Sequence, residues 1–385
     1  MRKICVITGS RAEYGLLSRL MKAIREDVDL VLQVIATNMH LSPEFGLTYK
    51  EIEKDGFRID KKVEMLLSSD TANATTKSVG LATIGFADAY EDLRPDLIVV
   101  LGDRYEILAA VTAALFYRIP VAHLHGGEIT EGAYDDAIRH AITKMSHLHF
   151  TSTDAYRTRV IQLGENPERV FNVGALGIEN IQNVSLLSQA DLEAELGWQL
   201  GEKSLLVTFH PVTLEHATAA LQCRQLLSAL DQFPEYKILF TYPNSDTDGR
   251  VIIKIFQEYI QKNPERCIGF PSLGYLRYLS ALQFVNAVVG NSSSGILEVP
   301  SFGIPTLDIG NRQKGRIAAS SVLHCGIEKD EIVVGLQKIL STAFKKTAKQ
   351  TKNPYQQEGS KEKILKVLKT FPLDRLIQKS FYNIP

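Results

Sequence analysis

The sequence lacks the features that mark nucleic-acid-binding and membrane proteins. Its 385 residues carry 43 basic side chains against 44 acidic ones, so the formal net charge is −1. A protein that binds nucleic acid or an anionic membrane surface normally shows a basic excess or patch. No apolar run approaches the roughly 20 residues that a membrane-spanning helix requires. We therefore expect neither nucleic acid nor a membrane among the partners of this protein.

Cysteine is also scarce. Cys5, Cys223, Cys267 and Cys325 are far apart and form no C-x-x-C pair, which favours buried free thiols in a reducing compartment over a metal or redox site. The opening MRKICVITGS lacks the length and the small-residue cleavage site of a secretory signal. These absences predict a cytoplasmic protein.

What the sequence does contain is a repeated alternation of strand and helix patterns. Short runs rich in Val and Ile are followed by amphipathic segments, which is typical of parallel α/β sheets covered on both faces. A chain of 385 residues suits two such domains. We predict two Rossmann-like domains facing across a cleft, the glycosyltransferase-B architecture, at residues 1–173 and 174–365, with a C-terminal helix at 366–385 returning to the first domain. The last predicted strand is Pro305–Ile309, and one helix is expected at Glu328–Phe344.

A dense group of ionisable residues follows two neighbouring predicted strands and begins the next helix. Its members are Asp103, Arg104, His125, Glu128, Asp135 and Asp136. In open α/β sheets, ligands bind at the rim formed by the carboxyl ends of the strands. Taken singly, Asp103 and Asp135 could be helix N-caps, but glycines beside the group let a ligand approach the backbone. The whole cluster therefore favours an active site.

The first predicted strand-to-helix turn, Gly9–Gly15, is a second candidate for ligand contact. It does not match G-x-G-x-x-G, so the dinucleotide fingerprint is absent. The start of a helix attracts anions. We therefore predict that Arg11 contacts a phosphate, in preference to the alternative of a surface charge.

The second half of the chain carries a pattern suited to a diphosphate. Gly290 and Gly295 bracket Asn-Ser-Ser-Ser before a predicted helix. The hydroxyls of Ser292 and Ser293, with nearby backbone amides, would then form an anion cradle at the positive end of a helix dipole. The alternative is a serine N-cap, but Arg312, one predicted strand further on, favours the diphosphate.

Two further residues of this half are candidates for ligand contact. Glu298 follows the serine-rich stretch and could accept two hydrogen bonds from a ribose diol, or merely favour the helix dipole. His210 lies before a proline at a predicted strand end. Because strand ends face the ligand in this fold class, a functional role for His210 is favoured over core packing.

A set of motifs spread in order over essentially the whole chain resembles one family. The motifs are G-S-R-A-E-Y-G at Gly9–Gly15, G-D-R at Gly102–Arg104, H-G-G-E at His125–Glu128, Y-D-D-A-I-R-H-A-I-T-K-M-S at Tyr134–Ser146, H-P-V-T at His210–Thr213, G-N-S-S-S-G at Gly290–Gly295 and G-N-R-Q-K-G-R at Gly310–Arg316. They look like those of the hydrolysing UDP-N-acetylglucosamine 2-epimerases of bacterial sialic acid biosynthesis. The non-hydrolysing epimerases carry R-P-E-A in place of Arg11–Tyr14 and lack D-D-x-I-R-H. Some hydrolysing members have glutamate in place of His125, whereas the bacterial polysialic-capsule type has histidine there, as here.

The resemblance implies a reaction and a set of site residues. UDP-N-acetylglucosamine would lose UDP by anti elimination to give 2-acetamidoglucal, and hydration of that intermediate would give N-acetylmannosamine. The implied catalytic residues are Asp103, His125, Glu128, Asp135, Asp136 and His210. The residues implied for the UDP moiety are Arg11, Ser292, Ser293 and Arg312 for the diphosphate, to which His210 would also donate, Glu298 for the ribose, and Leu273 and Tyr278 for the uracil. Arg104 is implied as a further contact to UDP. On the residues alone, Leu273 and Tyr278 would be assigned to helix packing. Neither a metal nor another cofactor is called for, and a homodimer is expected.

Three other functions remain open at this point. The first is a hydrolysing 2-epimerase for UDP-2,4-diacetamido-trideoxyglucose, the substrate of the legionaminic acid pathway. The second is a retaining glycosyltransferase of the same architecture, and the third is a nucleotide-sugar-binding protein without catalysis. The convergence of acids in the first half argues against the last two. The order in which those acids remove and return the proton also stays open.

Overall fold

The computed structural model describes residues 1–182, 184–215, 218–243 and 248–384, which form two compact units. The first unit contains residues 1–128, 135–180 and the chain from Tyr355 onwards, and the second contains residues 129–134 and 181–354. The boundaries therefore fall at 180 and 355, where the sequence predicts 173 and 365. Two hydrogen bonds explain the shift: Ala175 N–H donates to Tyr355 O at 3.0 Å, and Asn180 Nδ2 donates to Leu16 O at 3.0 Å.

The first unit is built on a fully parallel sheet. Its strands are β1 (Arg2–Thr8), β2 (Leu30–Thr37), β3 (Lys61–Val63), β4 (Leu97–Leu101), β5 (Val121–Leu124), β6 (Leu148–Thr151) and β7 (Val170–Asn172). They lie in the order β3-β2-β1-β4-β5-β6-β7, so the direction of winding reverses between β1 and β4. Ligands bind at such a switch point in doubly wound folds. The sequence pattern misses β3, because three residues at a sheet edge are too few to show an apolar run.

Helices cover both faces of this sheet. They are α1 (Arg11–Glu26), α2 (Tyr49–Lys54), α3 (Ala72–Leu93), α4 (Tyr105–Tyr117), α5 (Asp135–Met145), α6 (Asp154–Gln162) and α7 (Leu176–Gln182). On one face, Leu17 and Leu20 of α1 pack against alternate residues of the strands, and on the other Phe86 of α3 and Val111 of α4 pack against the remaining ones. Burial on both faces explains why the strands read as continuous apolar runs.

The second unit repeats the plan with a six-stranded parallel sheet. Its strands are β8 (Ser204–Thr208), β9 (Lys237–Thr241), β10 (Cys267–Phe270), β11 (Ala287–Gly290), β12 (Thr306–Ile309) and β13 (Val322–Cys325). The order is β10-β9-β8-β11-β12-β13, with the switch point between β8 and β11. The prediction that Pro305–Ile309 is the last strand is wrong, because β13 pairs with β12. As an edge strand with none of its residues fully buried, β13 has no apolar run to reveal it.

The helices of the second unit include one predicted helix that is divided in two. They are α8 (Gln189–Leu196), α9 (Ala219–Leu230), α10 (Gly249–Lys262), α11 (Gly274–Ala281), α12 (Ser294–Leu297), α13 (Lys329–Leu340) and α14 (Thr342–Lys349). The single helix predicted at Glu328–Phe344 is two helices that meet at Ser341. Ser341 has extended dihedral angles, and its side chain accepts a hydrogen bond from Phe344 N at 3.3 Å. A serine N-cap therefore starts a new helix where the old one would have continued.

The prediction of a C-terminal helix at 366–385 is wrong in its bounds. The observed helix, α15 (Ser360–Thr370), belongs to the first unit, where Ile364 and Leu368 pack in the same core as α1. It ends before Pro372, since the residue that precedes a proline is driven out of the helical region. The chain from 371 to 384 is neither helix nor strand, and Pro385 lies outside the described residues.

The prediction of two parallel, doubly wound α/β domains is confirmed. Cys5, Cys223 and Cys267 are buried free thiols, and Cys325 is half-buried. Within the described ranges, no helix is both long enough and apolar enough to cross a bilayer.

Candidate active site

The carboxyl ends of β4 and β5 bring the first group of predicted residues side by side. Leu101 of β4 pairs with Leu124 of β5, and Gly102 N–H continues the ladder by donating to Leu124 O at 3.0 Å. Asp103 and His125 therefore follow adjacent strands at the same edge of the sheet. This arrangement is the one expected when two predicted strands are parallel neighbours.

Asp103 is held by an arginine from the next helix. Arg139 of α5, only 1% exposed, donates to a carboxylate oxygen of Asp103 through one nitrogen. Its other terminal nitrogen donates to Glu128 O at 3.0 Å and lies 3.4 Å from an oxygen of Asp136. A buried guanidinium thus ties the ends of β4 and β5 to the first turn of α5, and a charge-assisted hydrogen bond of this kind keeps the Asp103 carboxylate fixed.

His125 and Glu128 form a second anchored pair. His125 Nδ1 lies 3.0 Å from Glu128 Oε1, and Ser152 Oγ donates to the same oxygen at 2.8 Å. His125 has φ of +65°, a left-handed conformation that non-glycine residues rarely adopt outside functional sites. Among the described residues, His125 Nε2 has no hydrogen-bond partner. The Glu128 carboxylate therefore orients the imidazole of His125 through Nδ1, and Nε2 remains available to a ligand.

The remaining acids of this group begin α5. Asp135 is buried and Asp136 is half-buried, with His140 Nε2 at 3.5 Å from an Asp136 oxygen. Burial lowers the pKa of His140, and the nearby Asp136 carboxylate only partly offsets that effect. His140 is therefore a mostly neutral neighbour of Asp136 near pH 7.

A buried network joins β1 and β4 at the switch point. Arg104 Nε donates to Glu106 at 2.8 Å, and Gly9 N–H donates to Glu13 at 2.7 Å. Burial, followed by repulsion from Glu106, raises the pKa of Glu13 to about 8. Arg11, predicted to contact a phosphate, lies 2.5 Å from Glu51.

In the second unit, a reciprocal pair of hydrogen bonds closes the switch point between β8 and β11. His210 N–H donates to Asn291 Oδ1 at 2.7 Å, and Asn291 Nδ2 donates to His210 O at 2.8 Å. Gly290, with φ of +138°, permits this approach, since a Cβ there would lie 1.9 Å from Thr208 O. The first glycine of the serine-rich motif is thus required by backbone packing.

The loop after β12 is tied to the same asparagine. Arg312 Nη1 and Gln313 Nε2 both donate to Asn291 O, at 3.1 and 2.9 Å. Asn291 therefore connects the ends of three strands, β8, β11 and β12. Its two neighbours Ser292 and Ser293 are half-buried in this same cluster.

The helix that follows the serines is a single turn. α12 has four residues, and Glu298 lies at its C-terminal end, away from the positive end of the helix dipole. Pro300 explains the early end, since a proline cannot continue the backbone ladder. A single turn supplies little helix dipole, so the donors of this cluster are chiefly side chains.

Glu298 belongs to a chain of hydroxyl contacts. Ser294 Oγ donates to Glu298, and Tyr278 OH lies 2.6 Å from Ser294 Oγ. Leu273, immediately before α11, is buried in the core that covers one face of the sheet. The structure therefore brings Tyr278 and Glu298 together, and places Leu273 in packing.

The loop between Glu128 and Asp135 is folded with the second unit. Glu131 N–H donates to Lys314 O at 3.1 Å, and Leu214 N–H donates to Gly132 O at 3.4 Å. A Cβ on Gly132 would lie 2.4 Å from Asn311 O. This loop is thus closely packed against the loops that follow β8 and β12.

Several residues that organise both clusters were not singled out from the sequence. They are Arg139, Ser152, Asn291 and Gln313. Arg139 had a usable signal, because it lies four residues after Asp135 and so on the same face of α5. Ser152 had none, since it reaches Glu128 only through the pairing of β5 with β6. No group of three or more metal-ligating side chains suited to an ion occurs in the described part of the chain.

Comparisons with known proteins bear on the family and on the fold of this chain. The profile of the family described as UDP-N-acetylglucosamine 2-epimerase matches residues 22–369. Over all of its length the chain is 45% identical to the GDP/UDP-N,N'-diacetylbacillosamine 2-epimerase (hydrolyzing) of Campylobacter jejuni, of which it covers 99%. It is 38% identical, again over all of its length, to polysialic acid biosynthesis protein P7 of Escherichia coli, of which it covers 98%.

The fold is also that of a solved structure. The UDP-GlcNAc 2-epimerase from Neisseria meningitidis, crystallised with UDP-GlcNAc, matches 95% of this chain and 99% of its own with a TM-score of 0.79 at 18% identity. That match supports the fold, while the profile and the two relatives carry the family assignment. By these measures the chain belongs to the UDP-N-acetylglucosamine 2-epimerase family.

Proposed function

We propose that the protein is a hydrolysing 2-epimerase, which converts a UDP-2-acetamido sugar and water into UDP and the free sugar inverted at carbon two. The observation that carries this proposal is that Asp103 and His125, two side chains capable of proton transfer, lie at adjacent strand ends and are anchored separately. Removal of the carbon-two proton from one face and its return to the other requires two such groups. The reaction would run by anti elimination of UDP to a 2-acetamidoglucal, followed by hydration.

The anchoring of the two groups suits this chemistry. Arg139 fixes the Asp103 carboxylate, so no reorganisation is needed when charge develops at the anomeric carbon as the bond to UDP breaks. Glu128 orients the His125 imidazole through Nδ1, which directs Nε2 to proton transfer. Asp135 and Asp136 add negative charge at the start of α5, where the helix dipole stabilises it.

The second unit would bind UDP. A departing diphosphate needs positive, preorganised donors, and Arg312 is fixed for that task by its hydrogen bond to Asn291 O. Ser292 and Ser293 would add hydroxyl donors, and His210 a further one. Glu298 would accept the ribose hydroxyls, with Tyr278 beside the uracil. Arg11 and Arg104 remain proposed phosphate contacts from the first unit.

Two substrates fit the proposal. UDP-N,N'-diacetylbacillosamine, a 2,4-diacetamido sugar, is favoured by the 45% identity to a protein whose name states that activity. UDP-N-acetylglucosamine, the substrate implied by the sequence motifs, is supported by the 38% identity to a polysialic acid biosynthesis protein. The chemistry at carbons one and two is the same for both, since both carry the 2-acetamido group.

The test is to incubate the full-length protein with each nucleotide sugar in D₂O and to follow the products by proton NMR. We expect UDP, together with a free sugar that is inverted and deuterated at carbon two, from one of the two substrates. Inversion with the sugar still attached to UDP would replace the proposal with non-hydrolysing epimerisation. Release of UDP with the carbon-two proton retained would indicate simple hydrolysis.

We also propose a cytoplasmic homodimer. The buried free thiols support a reducing compartment. Large apolar side chains are exposed on the outer helices of the first unit, among them Ile84 of α3 and Phe116 of α4, which are 65% and 78% exposed. Such side chains are commonly covered by a second copy in oligomers.

A further inference from the structure

The segment 371–384, which we name the C-terminal strap, has no regular secondary structure yet is firmly attached to the first unit. Leu376 is 1% exposed, and its carbonyl accepts a hydrogen bond from Arg169 Nη1 at 3.0 Å. Tyr382 N–H donates to Gly164 O at 2.9 Å. These contacts lie on either side of Lys379, so the strap holds that side chain in place from both directions.

Lys379 occupies the C-terminal end of α5. Its ammonium group donates to Lys144 O at 2.7 Å and to Ser146 O at 2.6 Å. The last carbonyls of a helix have no partner within the helix and carry the negative end of its dipole, so a cation there caps the helix. Ser146 caps Ile142 O and Thr143 O locally through its hydroxyl and N–H, and the strap adds, from 233 positions further along the chain, a cation on the carbonyls of Lys144 and Ser146.

A buried carboxylate completes this anchor. Both oxygens of Glu165 accept hydrogen bonds from Lys379 at 2.9 Å, and Glu165 is 1% exposed. Lys144 Nζ and His149 Nε2 reach the same carboxylate at 2.7 and 3.0 Å. Burial alone would raise the pKa of Glu165, but these hydrogen bonds outweigh it and lower the pKa to about 2. The carboxylate is therefore ionised and binds the strap, α5 and β6 together.

Phe381 gives the strap a second attachment near the same place. Its ring lies against Gly164, where a Cβ would come within 2.4 Å of a ring carbon. The Lys144 ammonium lies 4.8 Å from the ring centroid, which is within cation–π range. Two side chains of the strap, Lys379 and Phe381, thus meet Lys144 at the end of α5.

The opposite end of α5 carries the proposed catalytic cluster. Arg139, which holds Asp103 and the carbonyl of Glu128, is five residues before Lys144, a distance of about 7.5 Å along the helix. A helix moves as a rigid element over so short a span. A shift at its capped end would therefore displace the guanidinium, and a misplacement of about 1 Å can cost up to a hundredfold in rate.

We propose that the C-terminal strap positions the catalytic helix α5, and that Lys379 is the positioning residue. The role in catalysis rests on the proposed epimerase function, whereas the mechanical role does not. Lys379 does not act on the substrate in this proposal. It fixes the axial position of α5 and, through Arg139, the geometry of Asp103 and Glu128.

The first experiment measures hydrogen–deuterium exchange in full-length Lys379→Met and needs no substrate. We expect the amides at residues 142–146 to exchange at least tenfold faster than in the wild type, while peptides of the second unit are unchanged. Lys366→Met, which removes the same charge from an exposed position on α15, serves as the matched control and should exchange like the wild type. Unchanged exchange in α5 of Lys379→Met would overturn the proposal.

The second experiment measures kcat and KM on the substrate found active for the wild type. We expect kcat of Lys379→Met to fall about tenfold or more with KM and the affinity for UDP within about twofold, because the nucleotide would be held by the other unit. Phe381→Ala should show the same pattern to a smaller extent, about threefold, and keeps the test available if the lysine variant does not fold. A rise in KM with kcat unchanged would refute the positioning role. An inactive wild type would instead refute the proposed function. The hydrogen–deuterium exchange experiment would still test the mechanical role of Lys379, because it needs no activity.

Discussion

The sharpest test of the proposed chemistry is Glu128→Gln. Glutamine has the shape of glutamate, and its amide oxygen can still accept the hydrogen bonds that Oε1 now receives from His125 Nδ1 and Ser152 Oγ. The substitution therefore keeps the packing and removes the negative charge. General acid–base catalysis by a positioned side chain contributes about 10²–10⁴ to the rate. Because the Glu128 charge would support that role in His125, kcat should fall at least a hundredfold, which is about 2.7 kcal/mol of transition-state stabilisation.

The structural cost of this substitution should be smaller than its catalytic cost. With both hydrogen bonds retained, the free energy of unfolding should change by less than about 1.5 kcal/mol, the value of one ordinary hydrogen bond. UDP affinity should also stay within about twofold, because Glu128 belongs to the first unit and the nucleotide would be held by the second. All three quantities can be measured on one preparation: kcat by NMR, the free energy of unfolding in urea, and the affinity for UDP by calorimetric titration.

Glu168→Gln is the matched control, since it makes the same chemical change at an exposed position of the same unit. It should turn over like the wild type. Near-normal turnover of Glu128→Gln would refute the proposal that the Glu128 carboxylate prepares His125 for proton transfer. A collapse of UDP affinity in that variant would instead move Glu128 to nucleotide binding.

Three further predictions follow from the described contacts. Glu298→Gln should weaken UDP binding about tenfold by calorimetry while kcat at saturation changes less than threefold; an unchanged Kd would place the ribose elsewhere. His123 is buried between Gly102 O and Thr143, and burial lowers its pKa to about 3, so the stability it contributes is present above pH 6.5 and lost as the pH falls below that value. Between pH 7 and 5 the wild type should therefore lose about 2 kcal/mol more than His123→Asn in urea unfolding, and equal losses would contradict this. Phe116→Asp should convert the expected dimer to a monomer in light scattering, and a surviving dimer would place the interface on another surface.

Much of the fold followed from the apolar runs, because strands buried on both faces of a parallel sheet are continuous in sequence. β4 shows this well, since Leu97–Leu101 is an unbroken apolar run that is buried at every residue. The predictions that failed concern features that leave no apolar run in the sequence. β13 lies at an edge and is not fully buried at any residue, and Ser341 divides a helical pattern by a capping hydrogen bond that leaves no trace in hydrophobic periodicity.

The candidate site was likewise predictable from the sequence only in part. Asp103 and His125 could be placed together from sequence, because they follow strands that were expected to be parallel neighbours. Their anchors could not, because Arg139 and Ser152 are brought in by the docking of α5 and by the pairing of β5 with β6. Sequence patterns thus located the groups that would react, whereas the groups that hold them required the tertiary structure.

The loop 129–134 makes the two units unsuitable for separation into independent fragments. The chain passes from one unit to the other at four points, after residues 128, 134, 180 and 354. A fragment of residues 181–354 would lack the loop, leaving Lys314 O and Leu214 N–H without the backbone partners they have in the whole protein. Dissection of this enzyme by truncation would therefore expose polar backbone in one piece and leave the other with a severed connection between Glu128 and Asp135. Studies of the separate halves would need the loop grafted onto the second fragment and replaced by a short linker in the first.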